Sequence, residues 1–206
     1  MTRDLSKKNE HLGPYTPKNL VLASTSRYRA QLLNRLGYPF DRVDPAVDET
    51  PQPAEEPAAL ALRLSIAKAL STKTPSDAWV LGSDQVLAYR GKILGKPGTR
   101  ERAIAQLARC SGATVNFYTG VCLSNRRLGF LESHLVTTQV TFRTLTAENI
   151  EHYVDQEPAF DCAGSFKVEG LGISLFTEVS SSDPTALEGL PLISVCSMLR
   201  KTQLLR

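Results

Sequence analysis

Two long β-rich stretches, "TVNFYTGVCLS" from Thr114 and "HLVTTQVTFR" from His134, follow one another in the middle of the chain. In the second, Val136, Thr138, Val140 and Phe142 recur at every second residue, the period of a strand with one buried face. Upstream the pattern differs. Leu20 to Ala23 is a short apolar run, and Leu32, Leu33 and Leu36 then take helical spacing up to a stop at Gly37. Strands separated by helices pair in parallel, whereas adjacent strands pair antiparallel. The combination predicts an α/β fold: a mixed, twisted β-sheet flanked by helices.

The remaining elements follow the same rules. Phe40 to Val47 reads as a strand. "TPQPAEEP" is a proline-rich loop, and Pro57 suits the first turn of a helix running to about Leu70, with Leu60, Leu64 and Ala67 on one face. "AWVLGSDQVLAYRGKIL" reads as a strand, an interruption at Asp84, a second strand, a turn at residues 90–92 and a third strand. Residues 99–111 form a helix capped by Thr99 and closed by Gly112, and Thr146 starts another. "GISLF" reads as a strand and Pro191 to Lys201 as a last helix. Residues 1–18 read as a polar extension and residues 19–206 as a single domain, since 206 residues suffice for one substantial core.

Composition narrows the function classes. Apolar residues make up 42% and charged residues 22%, with a net charge of +3. The basic residues are dispersed among acids, which disfavours a nucleic-acid partner. No apolar stretch is long enough to span a bilayer and the N-terminus lacks an apolar signal core, so a membrane partner is not expected and the cytoplasm is the expected location. Cys110, Cys122, Cys162 and Cys196 form no CxxC pair, and the three histidines are scattered, which argues against a zinc or histidine-ligated centre.

Several residues stand out chemically, each with an ordinary structural explanation beside it. In "LASTSRYRAQLL", Ser24, Thr25, Ser26, Arg27 and Arg29 lie where a buried strand hands over to a helix. They form a capping turn or a phosphate site at a helix N-terminus. Asp84 and Gln85 break an apolar run, and a carboxylate there caps a turn or faces a cavity. Lys96 lies between Gly95 and Pro97, Lys68 one residue from the apolar face of its helix, and Glu49 beside Asp48; read singly, each is a solvated surface charge. "DCAGSFKVEGLGISLF" carries Ser165, Lys167 and Glu169 among tight glycines, as in a ligand-lining loop or a hairpin. It matches neither a dinucleotide fingerprint nor a P-loop.

The order of these segments carries more than any one of them. "LASTSRYRAQLL", "VDET", "LRLSIAKAL", "LGSDQV", "GKP", "FYTGV", "FDCAGSFKVEGLGISLF" and "GLPL" together resemble the Maf family of nucleoside triphosphate pyrophosphatases over about residues 19–200. The resemblance implies two lobes around a central nucleotide cleft, with hydrolysis between the α- and β-phosphates. It implies a divalent cation (Mg2+ or Mn2+) held by Glu49 and Asp84, with Asp84 also the proton acceptor. Arg29, Lys68 and Lys96 would meet phosphate, and Ser24 would bind substrate. "GSDQ" and "GSFKVEG" are similar to the branch acting on 7-methyl-GTP, with Tyr28, Gln85 and Glu169 selecting the base. Arg27 stands where the family has proline, and Tyr28 where the branch has tryptophan. A dTTP/UTP or other modified-nucleotide pyrophosphatase on the same fold is the first alternative, and a nucleotide-sensing regulator of cell division the second. The resemblance leaves a homodimer open.

Overall fold

The computed structural model describes residues 20–71, 74–202 and 204; the expected extension over residues 1–18 lies outside them. Among the described residues, seven strands form one sheet. β1 (Leu20–Ala23), β2 (Asp41–Val43), β3 (Trp79–Tyr89), β4 (Lys92–Leu94), β5 (Thr114–Asn125), β6 (Phe130–Phe142) and β7 (Phe176–Ser181) run in the order β2-β1-β3-β5-β6-β7, with β4 pairing β3. The pairs β1–β2 and β1–β3 are parallel, and all others are antiparallel. The early half is therefore helix-connected and the middle a meander, as the change of pattern requires. Five α-helices among the described residues flank the sheet: α1 (Arg27–Asn34), α2 (Pro57–Ala69), α3 (Arg100–Cys110), α4 (Ala147–Gln156) and α5 (Leu192–Lys201).

Three expectations are corrected. β3 is one continuous strand of 11 residues, with Asp84 and Gln85 inside it and no interruption. "GISLF" is a 3-10 turn over Leu171–Leu175, and the strand begins only at Phe176. Gly172 makes that turn possible, because a Cβ there would lie 2.4 Å from the Lys167 carbonyl oxygen. The strand expected over residues 40–47 shrinks to Asp41–Val43, and Ala46 sits at φ 47, off any strand geometry. The expected turn after β3 is a two-residue hairpin loop, with Arg90 and Gly91 both at positive φ.

Alternation along β3 organises the core. Leu81 packs with Leu32, Leu33, Val195 and Met198 from α1 and α5, forming one core cluster. Leu87, on the same face, packs with Leu107, Tyr153 and Val154 from α3 and α4, forming a second. Between them the face carries Ser83 and Gln85, so the two cores are separate lobes joined by a polar waist. The opposite face is covered by α2, which presses its backbone against two glycines. A Cβ on Gly82 would lie 2.3 Å from the Ser65 carbonyl oxygen, and one on Gly120 would lie 2.4 Å from that of Ala61.

The cleft opens where the sheet does. β1 pairs with β3 only through Gly82, and β4 only from Leu87, so residues 83–86 have no ladder partner on that edge among the described strands. The gap lies at the carboxyl end of β1, between its parallel neighbours β2 and β3, which is where open α/β sheets bind ligands.

Candidate nucleotide site

A cleft of about 640 Å³ occupies this gap. Ser24, Tyr28, Arg29, Glu49, Lys68, Asp84, Gln85, Lys96 and Glu169 all line it, so the structure brings to one place every residue to which the family resemblance gives a role, while Ser165 of the glycine-rich segment does not line it. Thr25, Ser26, Arg27 and Lys167, singled out within the two segments marked in sequence, line it as well, and so do Asp161, Cys162 and Glu188, which no sequence signal singles out.

The centre is a charge cluster around a buried lysine, with Asp84 buried beside it and Glu49 at the exposed side. Lys68 is 5% exposed and Asp84 7%, and Lys68 Nζ donates to Asp84 Oδ1 at 2.6 Å. The same ammonium lies 2.5 Å from Glu49 Oε1. The glycine contacts bring α2 close enough to the sheet for this, and they turn Lys68 inward from what reads in sequence as a helix flank. Burial works against the ionised Glu49 carboxyl, but the Lys68 hydrogen bond and the charges of Lys68, Lys96 and Arg29 outweigh it and leave its pKa below the ordinary value. Packing around the Arg29 guanidinium lowers its pKa, offset in part by the charges of Asp84 and Glu49.

Ser24 and Arg29 belong to the turn that caps α1. Ser26 caps α1 by accepting from Arg29 N, and Ser24 Oγ accepts from Ser26 N at 3.1 Å and from Arg29 Nη1 at 3.4 Å. Arg29 Nε donates to Gly189 O at 2.9 Å, which fixes the guanidinium against the cleft wall. The N–H groups of Thr25, Arg27 and Tyr28 have no partner among the described residues. Free N–H groups at a helix start beside a fixed arginine suit a phosphate. The turn thus caps a helix, as the first of the two sequence explanations has it, and leaves these three donors unengaged beside the cleft.

Lys96 reaches the cleft from a loop held at both ends. Gln106 Nε2 donates to Gly95 O at 2.8 Å, and Gly98 N donates to Phe160 O at 3.1 Å. Gln85 points to the sheet face opposite Asp84, and its amide nitrogen donates to Ala186 O at 2.8 Å and Thr119 Oγ1 at 3.0 Å. Its amide donors are thus committed to β5 and to the 186–189 turn, which leaves the amide oxygen to meet a ligand. At the cleft mouth the Arg27 guanidinium lies 4.8 Å from the centre of the Tyr28 ring and donates to its hydroxyl at 2.8 Å.

No group of three or more His, Cys, Asp or Glu among the described residues is placed to hold a metal ion alone. Glu49 and Asp84 nevertheless send one carboxylate oxygen each to a single cation, the Lys68 ammonium. Two carboxylates completed by substrate phosphates are the usual way proteins hold Mg2+, so the donor set fits such an ion once a nucleotide is present.

The family model for Maf-like proteins matches residues 19–202. The chain is 54% identical over 186 residues to a protein of Xanthomonas axonopodis pv. citri named 7-methyl-GTP pyrophosphatase, covering 88% of this chain and 95% of that one. It is 50% identical over 189 residues to a protein of the same name from Burkholderia pseudomallei, covering 90% and 88%. Among solved structures, a HAM1 protein from Coxiella burnetii superposes over 89% of this chain and 98% of its own with a TM-score of 0.46 at 14% identity.

Proposed function

The chain belongs to the family of Maf-like proteins, and from that membership we propose that it is a nucleoside triphosphate pyrophosphatase acting on 7-methyl-GTP. The products are 7-methyl-GMP and pyrophosphate, and the role is removal of a modified nucleotide from the cytoplasmic pool. The observation that carries the chemistry is the Asp84–Lys68–Glu49 cluster facing a cleft that Arg29 and Lys96 also line. The observation that carries the substrate is the name shared by relatives at 50–55% identity.

Phosphate oxygens rest on the free N–H groups of Thr25, Arg27 and Tyr28 and on Arg29, with Lys68 and Lys96 adding charge from the other walls. Glu49 and Asp84 are the residues that would hold a divalent cation. When bound, that ion neutralises charge on phosphate oxygens. Lys68 engages only Oδ1 of Asp84, which leaves Oδ2 for the proton of an attacking water. The water oxygen bonds to the α-phosphorus, its proton passes to Asp84, and the α–β bridging oxygen leaves with pyrophosphate. At the other end Glu169 accepts from the two adjacent donors of a guanine edge, Gln85 offers its amide oxygen, and Tyr28 presents a ring to the cationic base.

Pyrophosphate release from a panel of canonical and methylated nucleoside triphosphates with Mg2+ tests the reading. 7-methyl-GTP should give the highest kcat/KM, and a preference for UTP or dTTP would remove the substrate assignment. Asp84→Asn should keep the fold and lose about 10²–10⁴-fold in kcat, the usual weight of general-base catalysis. Near-normal turnover in a folded Asp84→Asn protein would rule out the role given to Asp84.

A further inference from the structure

Glu157 follows the last residue of α4, where its charge faces the negative end of the helix dipole. A lysine or a glycine is the favourable residue there. An acid at this point calls for a compensating use, and its contacts supply one. Its Oε2 accepts from Gly172 N at 3.2 Å and from the Tyr153 hydroxyl at 3.1 Å. The Tyr153 hydroxyl in turn accepts from Lys167 N at 3.2 Å. Both backbone donors belong to the segment that carries Glu169, one two residues before it and the other three residues after. Between them Gly170 packs so closely on the carboxylate that a Cβ would lie 2.0 Å from Glu157 Oε1.

Tyr153 is 2% exposed and sits one helical turn before Glu157, so the pair forms a rigid post on one face of α4. Neither residue lines the cleft, whereas Lys167, Val168 and Glu169 do. We propose that Glu157 is a positioning residue for base recognition: with Tyr153 it fixes the 167–172 segment so that Glu169 meets the base edge. The inference rests on Glu169 reading the base, as in the function proposed above. It predicts that base preference and phosphate chemistry respond separately, because the Lys68–Asp84 cluster is carried by α2 and β3 and shares no hydrogen bond with this post.

The test is steady-state kinetics of Glu157→Ala, Glu157→Gln, Gly170→Ala and the double variant Glu157→Ala/Gly170→Ala with 7-methyl-GTP, GTP and UTP, alongside thermal melting. In Glu157→Ala the ratio of kcat/KM for 7-methyl-GTP over UTP should fall about tenfold, the range of one or two lost hydrogen bonds. The fall should come from KM for the guanine nucleotides, with kcat little changed. Glu157→Gln keeps an acceptor oxygen and should retain most of the ratio, which excludes gross unfolding as the cause. Gly170→Ala should mimic Glu157→Ala by displacing the carboxylate, and its effect should shrink in the double variant, where the clash is gone. Equal loss on all three nucleotides, or unchanged constants in a folded Glu157→Ala, would overturn the inference and leave the substrate assignment standing. A wild type that prefers UTP would overturn the substrate assignment, and the inference would then be read from whether that preference collapses.

Discussion

Lys68 decides more than any other single residue. A buried ammonium beside two carboxylates is stable because each charge has a partner, and removing one partner from such a cluster strands the others at several kcal/mol. Its position between Glu49 Oε1 at 2.5 Å and Asp84 Oδ1 at 2.6 Å is also where a divalent ion would seek those oxygens. On the reading proposed above, the free protein carries its own counter-cation in the seat a metal ion would take. Two carboxylates already neutralised by an ammonium attract Mn2+ weakly unless triphosphate draws the lysine away. Lys68→Met should therefore bind Mn2+ more tightly than wild type in the absence of nucleotide. A unit charge about 4 Å away at intermediate dielectric is worth roughly 4 kcal/mol, so a tenfold gain in affinity is the least expected. Titration followed by Mn2+ electron paramagnetic resonance measures it directly, and equal affinity in the two proteins would show that the lysine and the metal do not share a seat.

At the scale of elements, α2 and β3 must be pressed together for that cluster to exist. Gly82 and Gly120 permit it, and Ser124 Oγ adds a 2.7 Å bond to Ala69 O at the end of the helix. Gly82→Ala would drive a methyl group into the Ser65 carbonyl oxygen and Ala69 N, which flank Lys68 on the helix. Overpacking of this kind costs about 1–3 kcal/mol. Turnover should fall further than stability does, because lifting α2 separates Lys68 from Asp84. A Gly82→Ala protein with wild-type melting temperature and kcat would refute the close-packing account. The same elements mark the limit of what the sequence reveals. The bounds of α2 follow from Pro57 and the leucine spacing, but the inward turn of Lys68 depends on glycines in strands far along the chain, which no local pattern carries. The interruption expected at Asp84 assumed that an unpaired carboxylate cannot sit in a buried strand; Lys68, sixteen residues earlier, is the missing partner. Likewise "GISLF" has strand composition, yet Glu157 and the Lys167 carbonyl fold it into a 3-10 turn from outside the segment.

Across the whole molecule, the two cores on this face of the sheet are separated by the polar waist of Ser83 and Gln85, and the cleft has a wall on each. The Ser24–Arg29 turn belongs to the lobe of α1 and α5, and the Ser165–Glu169 segment to the lobe of α3 and α4. The change from strand–helix alternation to a meander foretells two halves of one sheet. That a gap is left along β3 between β1 and β4 is a matter of strand length and register, which composition does not encode. A nucleotide long enough to touch both walls adds contacts across this polar waist, so it should stabilise the lobes together. At a hundred times its dissociation constant a ligand contributes about 2.7 kcal/mol. For a chain of this size that corresponds to a rise of about 5–10 °C in melting temperature. A non-hydrolysable 7-methyl-GTP analogue with Mg2+ should produce such a shift, and the free base or pyrophosphate alone should produce much less. Hydrogen exchange distinguishes bridging from one-sided binding. With the analogue, protection should rise in residues 24–29 and in residues 165–169 together, and with pyrophosphate only in the first. Protection confined to one wall with the full analogue would mean that the nucleotide does not span the cleft. A nucleotide-sensing regulator would show the same shift and the same two protected segments, so release of pyrophosphate from 7-methyl-GTP under those conditions is what separates an enzyme from a sensor on this fold.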